Sequence, residues 1–237
     1  MWIKICANTN LTDALLAAEL GADAVGFVFA PSARQVTPAD VALITPHLPS
    51  SIERIGVFPA LSADDIARAA HLAHLTAVQL HGGVALALIE QLHQLFAKES
   101  EDSKAIDIIQ TVPWLLDSDS STHKVAQQLN DLRSHGLVRR VLIDSSLGQR
   151  TGGTGVPFDW NAAQTVFAHF RDHLNLIVAG GLRPSNVAQA ILGLNPWGVD
   201  VASGVELVPG RKDPAKLASL ISEARAAKPQ PLPEPSA

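Results

Sequence analysis

The sequence has a single cysteine, Cys6, among 237 residues. One thiol excludes an intrachain disulfide and any cysteine-rich metal centre. No histidine pair has the spacing of a His-Glu-x-x-His metal motif, and neither a Walker loop nor a dinucleotide fingerprint is present. Basic residues are also scarce: 18 Lys and Arg stand against 23 Asp and Glu, for a formal charge of −5 and a pI near 6.0. Non-specific nucleic-acid binding needs a basic field that this chain lacks. Long apolar runs are missing as well. The longest, Ala24–Pro31, is far short of the roughly 20 residues that span a bilayer. Met1–Cys6 has no basic segment leading into an apolar stretch, so no secretory signal is expected. The plain expectation is a cytoplasmic globular protein, a monomer with neither a nucleic-acid nor a membrane partner.

Apolar material, by contrast, is plentiful: 47% of residues are hydrophobic and 17% charged, enough for a large core and against overall disorder. The length fits one or two domains of about 150 residues, or one closed α/β barrel of about 250. Short β-rich runs alternate with helical patterns. Strands are expected at Ile3–Cys6, Ala24–Phe29, Arg54–Phe58, Thr76–Leu80, Ile106–Val112, Val138–Ile143, Leu174–Ala179 and Val199–Ala202. Helices are expected at Leu11–Leu20, Pro38–Thr45, Ala63–His74, Val84–Lys98, Thr122–Ser134, Trp160–Phe170, Pro184–Leu192 and Pro214–Ala226. Start signals support several of them: Thr9 or Asn10, Thr37 before Pro38, Ser62, Asp159, and Asp213 before Pro214. Strict alternation implies a parallel sheet with right-handed crossovers. Eight units of even length with no leftover domain favour a closed (βα)8 TIM barrel over an open doubly wound sheet. The barrel is expected over residues 1–227, with a charged loop at Lys98–Lys104. The Pro-rich 228–237 segment lacks apolar residues to bury and is expected to be a disordered tail.

Barrel active sites lie at the C-terminal ends of the strands. That rule selects Cys6 after strand one, Ser32 and Arg34 after strand two, and Gln79 with His81 at strand four. It also selects Asp144 at strand six and Asp200 with Ser203 at strand eight. Glycines cluster at the same rim, in Gly152-Gly153-Thr154-Gly155, Gly180-Gly181 and Ser203-Gly204. Any one could be a tight turn. Three on successive strands point to backbone amides gathered round a phosphate. A lone cysteine is commonly a small buried hydrophobe, but at a strand end a thiolate with positive neighbours is a competent base. Asp144 could cap its loop; partly buried, it could instead act as a general acid. Arg34 is a candidate clamp for a carboxylate, or a solvated loop arginine. His81 is a ligand contact or a rim residue. Period-2 alternation puts Lys4 on the face of Cys6, pointing inward, where its ammonium needs a partner. Strand eight closes beside strand one, so an ion pair between Lys4 and Asp200 is expected.

The ordered set Lys4-Ile5-Cys6, Gly21–Phe29, Ser32 with Arg34, Gly56-Val57-Phe58, Val78–Gly82, Leu142-Ile143-Asp144 and Gly152–Gly155 continues through Phe158-Asp159-Trp160 and Ala179–Leu182. It ends with Pro184, Asn186-Val187, Val199-Asp200-Val201, Ser203–Glu206, Gly210 and Lys212-Asp213. In this order and spacing, over roughly residues 3–221, the chain resembles the phosphoribosylanthranilate isomerase family. The resemblance implies an Amadori rearrangement in tryptophan biosynthesis, without cofactor or metal. It implies Asp144 as the general acid on the ribose ring oxygen, Cys6 as the base at C2′, and Arg34 on the anthranilate carboxylate. The phosphate would lie against Gly153–Gly155, Gly180–Gly181 and Ser203–Gly204. The family usually carries Gly after the cysteine, where this chain has Ala7. A Cβ there costs about 1 kcal/mol or more if φ is positive. The related histidine-pathway isomerase, or a dual-substrate form of it, uses a carboxylate at the position of Cys6. A silent phosphate-binding barrel could do without Cys6 or Asp144. A Schiff-base aldolase would need an accessible barrel lysine, and Lys4 sits too early in its strand.

Overall fold

The computed structural model describes residues 1–98, 105–116, 120–147, 150–151 and 156–228. Eight parallel strands close into a ring: β1 (Trp2–Ile5), β2 (Ala24–Val28), β3 (Glu53–Phe58), β4 (Ala77–Leu80), β5 (Asp107–Leu115), β6 (Arg140–Leu147), β7 (Asn175–Val178) and β8 (Gly198–Val201). Each strand pairs with its sequence neighbours, and β8 pairs with β1 to complete the barrel. The outer helices are α1 (Leu11–Glu19), α2 (Pro38–Ala42), α3 (Ala63–Leu72), α4 (Leu86–Lys98), α5 (Ser121–His135), α6 (Trp160–Phe170), α7 (Val187–Leu194) and α8 (Pro214–Ala226). Asn10, rather than Thr9, caps α1; Thr37 and Asp40 form a reciprocal capping box; Asp159 and Asp213 cap α6 and α8.

Alternation along the strands divides the barrel. Outward residues such as Ile3, Ile5, Val25 and Phe27 join the helices in one continuous core. Inward residues Trp2, Ala24, Ile55, Ala77, Ile109, Leu142 and Ile177 form a separate apolar plug in the lower lumen. Trp2 fills much of it, stacks on Trp197 with ring centroids 5.1 Å apart, and donates from its indole N–H to Glu53. Gly198 must lack a side chain because a Cβ would lie 2.7 Å from the Trp2 ring. Arg140 seals this end, bonded to Glu53 and Asp107 at 2.7 Å each. Two residues further along, the inward positions turn polar on five of the strands, as Lys4, Gln79, Thr111, Asp144 and Asp200, while Gly26, Val57 and Ala179 stay small or apolar. The plug is therefore the floor of the site.

Several boundaries depart from the sequence expectation. β5 runs through Pro113 to Leu115, where β4 has ended and only β6 flanks it, so a missing N–H is tolerated. α2 stops at Ala42 and resumes as a 3-10 turn at Thr45–His47. α7 starts at Val187, not at Pro184: the Asn186 side chain accepts from the Arg183 amide and donates to the Gly181 carbonyl, holding the preceding residues in a turn. After β8, Glu206–Val208 and Arg211–Lys212 form a small antiparallel hairpin. The expected loop at Lys98–Lys104 and the tail at 228–237 fall outside the described residues, apart from Lys98 at the end of α4 and Lys228.

Candidate active site

The next residue after β1 is Cys6. Its amide donates to the Val201 carbonyl at 2.8 Å, which ties the end of β1 to β8. Gly26 on β2 makes room for it, since a Cβ there would sit 2.8 Å from Sγ and 2.9 Å from Lys4 Cε. Beneath Cys6 the Lys4 ammonium is wholly buried. It donates to Gln79 Oε1 at 2.8 Å and to Asp200 Oδ2 at 3.0 Å. Gln79 in turn donates to Thr111. The expected Lys4–Asp200 pair is thus present, with Gln79 as an added partner. Burial alone would lower the lysine pKa, but Asp200 and Cys6 outweigh it and raise it, so Lys4 stays an ammonium that cannot attack a carbonyl. That disqualifies Lys4 as a Schiff-base lysine.

Asp144 lies on β6, three strands from β1 round the ring. It is partly exposed at the pocket, while its Oδ1 is sealed and has no hydrogen-bond partner among the described residues. Burial, with Asp200 adding, pushes its carboxyl up to about 7, against Lys4 and the Ser145 amide, which favour the ionised form. A carboxyl near 7 is protonated often enough at neutral pH to serve as an acid. Cys6 differs from the expectation of a thiolate near neutrality. Burial pushes the thiol up, and Asp200 adds to this, while Lys4 and Lys212 oppose it.

One pocket gathers most of the expected residues. Cys6, Ser32, Arg34, Gln79, His81, Asp144, Gly180, Gly181, Asp200 and Ser203 all line it, with Val28 and Val57 as its apolar wall. Gly180 and Gly181 have φ of +82° and +65°, and a Cβ on Gly180 would lie 2.8 Å from Asp144 Oδ1. Gly204 does not line the pocket; it lets the loop after β8 approach the Leu182 carbonyl, where a Cβ would collide. Gly153, Thr154 and Gly155 fall outside the described residues. Among the described residues no group of three or more His, Cys, Asp or Glu is placed to hold a metal ion.

Arg34 is not the solvated arginine of the plain reading. Its Nε and Nη2 grip Glu206 at 2.7 to 3.0 Å, and Glu206 also accepts from the Gly210 amide at 3.1 Å and faces Lys212 at 3.6 Å. These interactions hold the Glu206 carboxyl below the usual range despite its burial. Glu206 and Lys212 are neighbours of Arg34 and Cys6 to which rim reasoning gave no role. Their signal was two charged residues flanking Gly210 just beyond the last strand.

Ala7 has φ of +60° and is buried, so the turn after Cys6 takes the left-handed conformation that favours glycine. The Asn8 side chain braces this turn by donating to the Ile5 carbonyl at 2.7 Å.

A family model described as N-(5'phosphoribosyl)anthranilate (PRA) isomerase matches residues 3–223. A protein of Desulfitobacterium hafniense named N-(5'-phosphoribosyl)anthranilate isomerase is 37% identical, over 96% of this chain and 98% of its own. The crystal structure of phosphoribosyl anthranilate isomerase from Thermotoga maritima is 36% identical, with a TM-score of 0.78 over 95% of this chain and 98% of that one. A structure of such an isomerase in complex with reduced 1-(o-carboxyphenylamino)-1-deoxyribulose 5-phosphate is 34% identical, with a TM-score of 0.73 over 95% and 98% of the two chains. By the family match, the identity to these relatives and the closed barrel that carries the site, the chain belongs to the phosphoribosylanthranilate isomerase family.

Proposed function

We propose that this protein catalyses the Amadori rearrangement of N-(5-phosphoribosyl)anthranilate to 1-(2-carboxyphenylamino)-1-deoxyribulose 5-phosphate, in cytoplasmic tryptophan biosynthesis. The observation that carries the reading is the opposition of Asp144 and Cys6 across one pocket, with the carboxyl held near 7 and the thiol facing Lys4. In the first step Asp144 gives its proton to the ribose ring oxygen. The bond from that oxygen to C1′ breaks as the anilino nitrogen lone pair forms a C1′=N bond, leaving an open-chain Schiff base. In the second step the Cys6 thiolate removes the C2′ proton. The C–H electron pair makes the C1′=C2′ bond, and the C=N pair returns to nitrogen, giving an enolamine. Tautomerisation moves the enol proton off O2′ and places one on C1′, giving the ketone. The sum is an isomerisation with no net proton uptake, so neither an external oxidant nor a reductant is needed.

Binding follows from the chemistry around the pair. The phosphate fits the rim formed by Gly180, Gly181 and Ser203, joined in this reading by Gly153, Thr154, Gly155 and Gly204. The anthranilate carboxylate fits Arg34 on the opposite side of Cys6. His81 and Gln79 line the middle, where the ribose hydroxyls lie.

The test follows loss of anthranilate fluorescence with wild type, Cys6→Ser and Asp144→Asn. Each substitution is expected to lower kcat by a factor of about 100 to 10,000, the range for a lost general acid or base. Near-full activity in Asp144→Asn would remove the acid from the scheme.

A further inference from the structure

Lys212 takes no part in the reaction as derived, yet its side chain is wholly buried. It stands on the return strand of the hairpin after β8. Its ammonium donates to the Cys6 carbonyl at 2.5 Å, approaches the Ala202 carbonyl at 3.4 Å and faces Glu206 Oε1 at 3.6 Å. A buried cation is costly unless each proton has an acceptor. The acceptors here are the backbone at the end of β1, the backbone at the end of β8, and one carboxylate; burial, with Arg34 adding, still pushes the Lys212 ammonium below its ordinary pKa, against Glu206 and Cys6, which favour the charged form. The hairpin is itself tied down. Thr9 Oγ1 donates to the Gly210 carbonyl at 2.6 Å, and the Lys212 amide donates to Asp13 Oδ2 at 2.9 Å.

The Cys6 carbonyl belongs to the peptide that leads into Ala7, the residue with φ of +60°. Turning Ala7 back to an ordinary negative φ would swing that peptide and break its bond to Lys212. The lysine therefore helps to hold a conformation that an alanine adopts only at a cost of about 1–2 kcal/mol.

Charge points the same way. Cys6 faces Lys4 from its own strand, Asp200 from β8, Lys212 from the hairpin and Arg34 from the loop after β2, with Asp144 on the far wall of the pocket. Lys4 is matched by Asp200. Lys212 and Arg34 share the single carboxylate of Glu206. The net positive charge on this side of the thiol thus comes from Lys212 and Arg34 together, against the one carboxylate of Glu206.

We propose that Lys212 is a positioning residue for proton removal at Cys6, pinning the Cys6 carbonyl and placing its ammonium behind the thiolate. This rests on the reading of Cys6 as the base, and its test does not require that reading. The chain has one cysteine and no tyrosine, so its alkaline ultraviolet titration reports a single thiolate with no tyrosinate beneath it. Lys212→Gln keeps a donor for the carbonyl and removes the charge; Lys212→Met removes both. In each folded variant the Cys6 titration midpoint is expected to rise by about one pH unit, the scale of one partly screened charge contact. At neutral pH kcat is expected to fall about tenfold, with KM changing less than about threefold, as for an interaction exerted on the reacting state. A midpoint that stays at the wild-type value, or a rise in KM with kcat retained, overturns the proposal. Should Cys6→Ser stay active, the base assignment fails, while the titration still decides whether Lys212 acts on the thiol.

Discussion

The Lys4 ammonium and the Asp200 carboxylate lie 3.0 Å apart in the barrel lumen, in register across the β1–β8 pair and beneath the Cys6 thiol. The pair does two things at once. It neutralises a buried lysine, and it leaves Lys4 close enough to oppose the rise in the Cys6 pKa. Breaking it leaves a buried charge without a partner, which costs about 3–5 kcal/mol. Lys4→Met is expected to lower the thermal midpoint by about 6–20 °C, at roughly 2–4 °C per kcal/mol for a chain of this size. Adding Asp200→Leu in the same chain is expected to recover part of that loss without recovering activity. A thermal-shift series over the two single variants and the double variant checks both halves.

The Ala7 turn separates stability from catalysis. Its φ of +60° is already the conformation a glycine would take, so Ala7→Gly relieves strain without moving Cys6. The expected gain is about 1 kcal/mol after allowing for the greater freedom of glycine in the unfolded chain. The matching rise in the thermal midpoint is about 2–4 °C. kcat is expected to stay within about twofold of wild type, since Lys212 and Asn8 hold the turn in either case. A fall in the midpoint would show that the turn is not strained.

Asp144 carries its own stability signature. Its carboxyl titrates near 7 when folded, against an unperturbed 3.8. The folded state therefore binds this proton more tightly than the unfolded chain does. Below about pH 4 both states are protonated and nothing is lost; as pH rises to 7 the fold is destabilised, by at most about 4 kcal/mol. Asp144→Asn removes that loss. The variant is expected to unfold at a higher temperature than wild type at pH 8, and to show a much smaller difference at pH 5. Equal shifts at both pH values would mean that the carboxyl is not buried in the way described.

Arg34 tests the binding side. Lysine keeps the charge but cannot grip Glu206 with two parallel bonds while turning another edge to a ligand. Arg34→Lys is expected to raise KM by about tenfold or more and to lower kcat less, which steady-state kinetics resolve.

Much of this was legible in the sequence because barrels obey simple periodicities. Alternation of two placed Lys4 and Cys6 on one face, and closure of β8 on β1 supplied Asp200 as the partner. The rule that sites lie at strand ends selected Asp144, Gln79 and the glycines at 180 and 181. Other features depend on three-dimensional competition that no local pattern carries. Pro184 looks like a helix start, yet Asn186 captures the Arg183 amide and delays the helix to Val187. Arg34 reads as a free clamp until the hairpin brings Glu206 against it from 172 residues away. The sign of φ at Ala7 and the depth of Cys6 likewise emerge only when the hairpin is folded over the end of β1. That burial is why the thiol moves up rather than down.

The pH dependence of kcat/KM tests the central claim most directly. In the proposed mechanism the active form needs Asp144 protonated and Cys6 ionised, although the carboxyl sits near 7 and the thiol is pushed above its ordinary value. Under that order the rate should climb about tenfold per pH unit in acid, level off near pH 7, and fall only above the thiol pKa. The bend near 7 then belongs to Asp144, so it should vanish in Asp144→Asn, whose residual activity should keep rising until the thiol is ionised. A wild-type rate that instead increases as the pH drops below 5 would contradict a thiolate base acting with a carboxyl acid.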